Sequence, residues 1–79
     1  MNRYVNVLAL FSDGGEVRPV AIYTNTGIKY EISRVTGKIP AASLKSGVLG
    51  TRYTCYIGTR LFHLFYDENK WFLEVPDSH

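Results

Sequence analysis

Apolar and polar residues alternate with a period of two along most of the chain, in short runs separated by glycine-rich reversals. This pattern predicts strands rather than helices. A first strand over residues 4–11 ends at Ser12-Asp13-Gly14-Gly15-Glu16, where Asp and glycine suit a tight reversal. A second, over 18–24, carries Pro19 near its start; lacking an N–H, Pro19 fits a sheet edge or a first ladder position. Asn25-Thr26-Gly27 turns the chain into a third strand over 28–35. There Ile28, Tyr30 and Ile32 alternate with Lys29, Glu31 and Ser33 and are expected to face the core.

Residues 36–50 break the alternation. Gly37, Pro40, Gly47 and Gly50 punctuate them, so a long loop is expected, with at most one helical turn over 41–45. Strands over 51–57 and 60–66 flank Gly58-Thr59, a two-residue Gly-X loop suited to a type II′ turn. That turn pairs Cys55 with Phe62 and Thr54 with His63. A sixth strand over 71–75 follows Asp67-Glu68-Asn69-Lys70 and stops at Pro76. Six short antiparallel strands cannot bury one apolar face while flat. The expected fold is therefore all-β, a continuous meander curled into a small open SH3-like barrel.

At 79 residues the chain holds one domain, with an ordered core expected over about 4–75. A chain this small buries only about 60% of its unfolded surface, so its six Tyr, four Phe and one Trp must supply much of the apolar area. Cys55 is the one cysteine, which rules out an intrachain disulfide and suits a reducing cytoplasm. No stretch has the length of a signal-peptide apolar region or a membrane-spanning helix, so no membrane association is expected.

The net charge of +2 conceals an uneven distribution. Residues 28–60 hold Lys29, Arg34, Lys38, Lys45, Arg52 and Arg60 against Glu31 alone, and residues 61–79 are acidic. Arg34, Lys38, Lys45, Arg52 and Arg60 with Tyr53 and Tyr56 therefore form a candidate surface for single-stranded nucleic acid, cations neutralising phosphate while tyrosines stack bases. Set against this is ordinary solvated charge around core aromatics. A second candidate surface is the strand over 60–66, apolar on both faces, which implies a cover; Phe62, Phe65 and Tyr66 would anchor a partner protein or a second copy of the chain.

Catalytic chemistry has one opening, a Cys55 thiolate activated by His63. The expected hairpin register turns the two side chains to opposite faces, and no catalytic residue is assigned. One Cys, His63 and His79 lack metal-ligand spacing, the acidic residues lack the alternation of a calcium loop, and the glycine pairs lack a phosphate-loop lysine; no metal or cofactor is expected.

The segments Tyr30-Glu31-Ile32-Ser33-Arg34-Val35, Ala41-Ala42-Ser43-Leu44-Lys45, Arg52-Tyr53-Thr54-Cys55, Leu64-Phe65-Tyr66 and Lys70-Trp71-Phe72-Leu73-Glu74 together resemble a family of small stand-alone proteins, mainly of Gram-positive bacteria. The resemblance implies no activity, cofactor or catalytic residue, and Tyr56, Leu61 and Phe62 depart from it. The expected role is a non-enzymatic binding or accessory module acting through association with another protein or with itself. Nucleic-acid binding is the alternative.

Overall fold

The computed structural model describes residues 2–42 and 49–74. It is all-β, with seven antiparallel strands: β1 Asn2–Phe11, β2 Val17–Tyr23, β3 Lys29–Glu31, β4 Arg34–Ala42, β5 Leu49–Ile57, β6 Arg60–Asp67 and β7 Lys70–Glu74. They form one curled sheet in the order β3-β2-β1-β7-β6-β5-β4, a half-barrel compatible with the expected open barrel. The order is not a continuous meander, because β1 joins two runs. Its first residues, as far as Val5, pair with β7, and from Asn6 to Phe11 it pairs with β2.

The expected loop over 36–50 is the main correction. Residues 34–42 are strand β4, paired with β5 from Arg34↔Tyr56 to Ala42↔Leu49. Thr36 is the extra residue of a bulge between Val35 and Gly37, which absorbs the irregularity that glycine signals. Pro40 is tolerated because β4 is the sheet edge. Counting alternate rungs from the Ile57↔Arg60 pair that closes the β5–β6 hairpin, the Pro40 nitrogen faces the open side, where no ladder bond is lost. Ala41 and Ala42 are strand, not the start of a helical turn, and the rest of that expected turn lies outside the described residues, as does Val75.

The expected third strand is cut in two at Ile32-Ser33, and these two residues tie the sheet's ends together. The Ile32 N–H donates to Val20 O of β2 at 2.9 Å, and the Ser33 N–H donates to Tyr56 O of β5 at 2.7 Å. Ile32 packs on the core as expected, whereas Ile28 and Tyr30 stay exposed, because β3 is a three-residue edge with nothing beyond it.

The concave face holds the core. Ile22, Tyr53, Cys55, Phe62, Leu64, Trp71 and Leu73 are buried there, with Val5, Val7, Ala9, Val17 and Val35 packed against them. Trp71 lies 4.5 Å from the Tyr66 ring and 5.7 Å from that of Tyr53. On the convex side Phe65, Phe72 and Glu74 are also buried, and Tyr4 stacks on Phe72 at 5.2 Å. No helix of the described residues is long and apolar enough to cross a membrane.

Candidate functional site

The β5–β6 hairpin has the expected register. Gly58 takes φ +62° while Thr59 does not, as a type II′ turn requires, and Cys55 pairs with Phe62 while Thr54 pairs with His63. Side chains alternate across a strand, so Cys55 enters the concave core and His63 the convex face. Cys55 is fully buried, and desolvation pushes its thiol up to about 12. The thiol therefore stays protonated at neutral pH and has no imidazole beside it.

Native protein is accordingly expected to resist iodoacetamide near neutral pH and to label only on unfolding; rapid native labelling would overturn the buried-thiol assignment. The same burial sets a pH dependence. The unfolded thiol ionises near 9 and the folded one near 12, so the unfolded state loses its proton first. Stability from this source is intact below about pH 9 and falls as pH rises toward 12, by at most about 1.4 kcal/mol per pH unit. Cys55→Ala is expected to flatten that alkaline decline at a packing cost of about 1 kcal/mol. Denaturant titrations at pH 8 and pH 11 on both proteins check this.

The basic and aromatic residues do not assemble as one groove. Arg52 lies on the convex face, where its Nε donates to Glu74 Oε1 at 2.9 Å and a terminal nitrogen donates to Ala42 O at 3.0 Å. Its charge is thus used inside the fold. Tyr53 is 3% exposed and donates its hydroxyl to Val17 O at 2.6 Å, so no face of its ring is open to a base. Burial, with smaller contributions from Tyr66, Cys55 and Glu16, holds that hydroxyl above its ordinary range. Tyr56 carries the Arg34 guanidinium over its ring at 4.4 Å. Arg60 is exposed beside the Gly58-Thr59 turn, and Lys45 lies outside the described residues.

Arg34, Lys38 and Tyr53 come near one another at the edge strand β4, Lys38 beside Tyr53 on the concave face and Arg34 beside Tyr56 on the convex one. They border a cleft of about 670 Å3 where the curled sheet fails to close between β2 and β4. The Lys38 ammonium sits 5.8 Å from the Tyr53 ring centroid. Arg18 and Glu16 border the cleft too. The sequence offered no sign of them, because residues 1–27 are charge-balanced and Arg18 stands sixteen positions before Arg34.

The expected interface residues are consumed internally. Phe62 and Phe65 are 5% and 2% exposed, and the Tyr66 hydroxyl donates to Asn69 Oδ1 at 2.9 Å beside Trp71. The cover that the apolar 60–66 strand demanded is the domain's own, since β6 is an interior strand between β5 and β7. Comparison with protein-family models, curated proteins and solved structures yields no match. Chemistry has to be read from the surface itself.

On that surface the largest departure from a finished sheet is β1. Its pairing with β7 stops at Val5↔Trp71, because β7 begins at Lys70 after the Glu68-Asn69 turn. Val5 directs its main-chain groups toward β7, and alternation sends those of Val7, Ala9 and Phe11 to the same side, where no described strand lies. A groove of about 620 Å3 runs along this edge, with Val7, Ala9 and Phe11 on one wall and Asn69, Lys70 and Trp71 at its end. Leu8 and Leu10 are 46% and 59% exposed on the convex side, and Phe11 is 60% exposed. A signal for this edge was present: residues 7–11, Val-Leu-Ala-Leu-Phe, are apolar at every position, the same feature that drew attention to 60–66.

Proposed function

We propose that the domain is an association module that pairs with a second copy of itself along the open edge of β1. The observation that carries this reading is the one-sided pairing of Val7–Phe11 in a stretch apolar on both faces. Exposed edges of monomeric sheets usually carry charge, proline or a bulge that blocks pairing. Residues 4–11 contain no charge and no proline, and the bulge between β1 and β2 lies on β2, at Val20, leaving the β1 edge regular.

Antiparallel pairing about a two-fold axis at Ala9 satisfies the edge. Ala9 meets its symmetry mate, Val7 meets Phe11 and Leu8 meets Leu10, so Val7, Ala9 and Phe11 exchange N–H and C=O groups without like charges across the axis.

Sedimentation equilibrium over a concentration series tests the reading. Wild-type protein is expected to dimerise. Leu8→Lys, which places lysines beside the two-fold axis, is expected to weaken the dimer at least about tenfold. Ala9→Pro removes an N–H that no intrachain bond uses, and is expected to do the same with strand content retained by circular dichroism. A wild type that stays monomeric throughout, or a Leu8→Lys protein that dimerises as well as wild type, overturns the proposal.

A further inference from the structure

The cleft between β2 and β4 is a different kind of surface from the β1 edge. Its inner wall is apolar, made by Val17, Pro19, Ile32 and Val35, whereas Arg18, Arg34 and Lys38 stand around it with Glu16 as the one carboxylate. No ion pair of the described residues involves Arg18, Arg34 or Lys38, so none of these three cations is neutralised by a salt bridge. All three cations are exposed, Lys38 over the Tyr53 ring and Arg34 over that of Tyr56, so their field reaches the mouth of the apolar hollow and favours an anion there.

We infer that this cleft binds a small amphipathic anion, with its apolar body against Val17, Pro19, Ile32 and Val35 and its carboxylate or phosphate head at the rim with Arg18 and Lys38. The volume, about 670 Å3, falls within the range of small-ligand pockets, roughly 300–1,000 Å3. Two hydroxyls add donors. Ser12 Oγ accepts the Glu16 N–H at 3.1 Å and Ser33 Oγ accepts the Gly58 N–H at 2.8 Å, and each keeps its own proton to give. Because these bonds fix both serines, the donors are held in place before a ligand arrives.

Two alternatives fit less well. A nucleic-acid strand needs open aromatic faces, yet Tyr53 is buried and Tyr56 has Arg34 on its ring. A bare inorganic anion would satisfy the cations but leave the apolar wall wet. An anionic head joined to an apolar body answers both parts of the cleft.

The test is a titration of 15N-labelled protein with decanoate below its micellar concentration, with decanol, inorganic phosphate and a thymidine decanucleotide as separate arms. Decanoate is expected to shift the amides of Ile32, Ser33, Val35 and Lys38 and to bind roughly tenfold or more tightly than decanol. Arg18→Gln with Lys38→Gln is expected to remove that preference while decanol binding is kept, a result that loss of fold would not produce. The Leu8→Lys variant separates this site from the β1 edge and is expected to bind decanoate as wild type does, whatever its oligomeric state. Three outcomes overturn the inference: decanol binding as tightly as decanoate, phosphate or the oligonucleotide matching decanoate at the same amides, and decanoate shifts confined to Val7–Phe11.

Discussion

Gly50→Val is expected to unfold the domain or lower its melting temperature by roughly 15 °C, a loss of about 3 kcal/mol for a chain of this size. Judged by strand propensity alone, the change should help, since valine favours β structure and glycine weakens it. Packing reverses the sign. A Cβ on Gly50 would stand 2.5 Å from the Tyr66 carbonyl oxygen and 2.8 Å from Phe65 Cζ. The first is main chain inside the β5–β6 ladder and the second belongs to a ring that is 2% exposed, so neither has room to retreat. Gly37→Ala is the internal control. Its Cβ would meet Thr54 Oγ1 at 3.3 Å, a contact with a side-chain hydroxyl, and a cost within about 1 kcal/mol is expected. Thermal melts of both variants decide the matter, and a Gly50→Val protein as stable as wild type would show that the Phe65 ring does not seat on Gly50.

Arg52→Met is expected to cost about 2 kcal/mol, because it removes the charge-assisted 2.9 Å contact from Arg52 Nε to the Glu74 carboxylate, whose side chain is 3% exposed. Adding Glu74→Gln removes the charge that Arg52 faces, and the double variant is expected to lose less than the sum of the two single variants. Denaturant unfolding of the two single variants and the double variant closes the cycle. Independent, additive costs would mean that the two side chains act separately and that the 2.9 Å contact contributes nothing of its own. Any nucleic-acid binding lost in an Arg52 variant would first have to be separated from unfolding, since this arginine is part of the fold's interior chemistry.

How much of this was legible beforehand differs by element. The Gly58-Thr59 hairpin could be read from the chain because a two-residue turn leaves a single register, and that register placed Cys55 in the core and His63 away from it. The β1–β2 and β2–β3 reversals were equally local, each closed by a Ser12 or Thr24 hydroxyl accepting the N–H four residues on. Strand β4 was hidden because glycine and proline mark a loop in an interior strand but are tolerated on an edge, and edge status belongs to the whole sheet. Phe62 and Phe65 were misplaced as anchors for a similar reason. A strand apolar on both faces is either an interface or an interior strand, and only the neighbours β5 and β7 distinguish the two.

The sequence by itself determined the strands and turns that depend on contacts a few residues apart, the antiparallel all-β class and the face on which each hairpin side chain falls, because period-two alternation and turn chemistry act locally. Tertiary structure decided where the sheet stops. Whether β1 has a neighbour beyond Val5, whether Arg18 comes near Arg34 and Lys38, and whether Arg52 faces solvent or Glu74 all follow from how the sheet coils. Coiling is set by the summed twist of seven strands and by the bulges at Thr36 and Val20, which bring together residues that no local pattern relates.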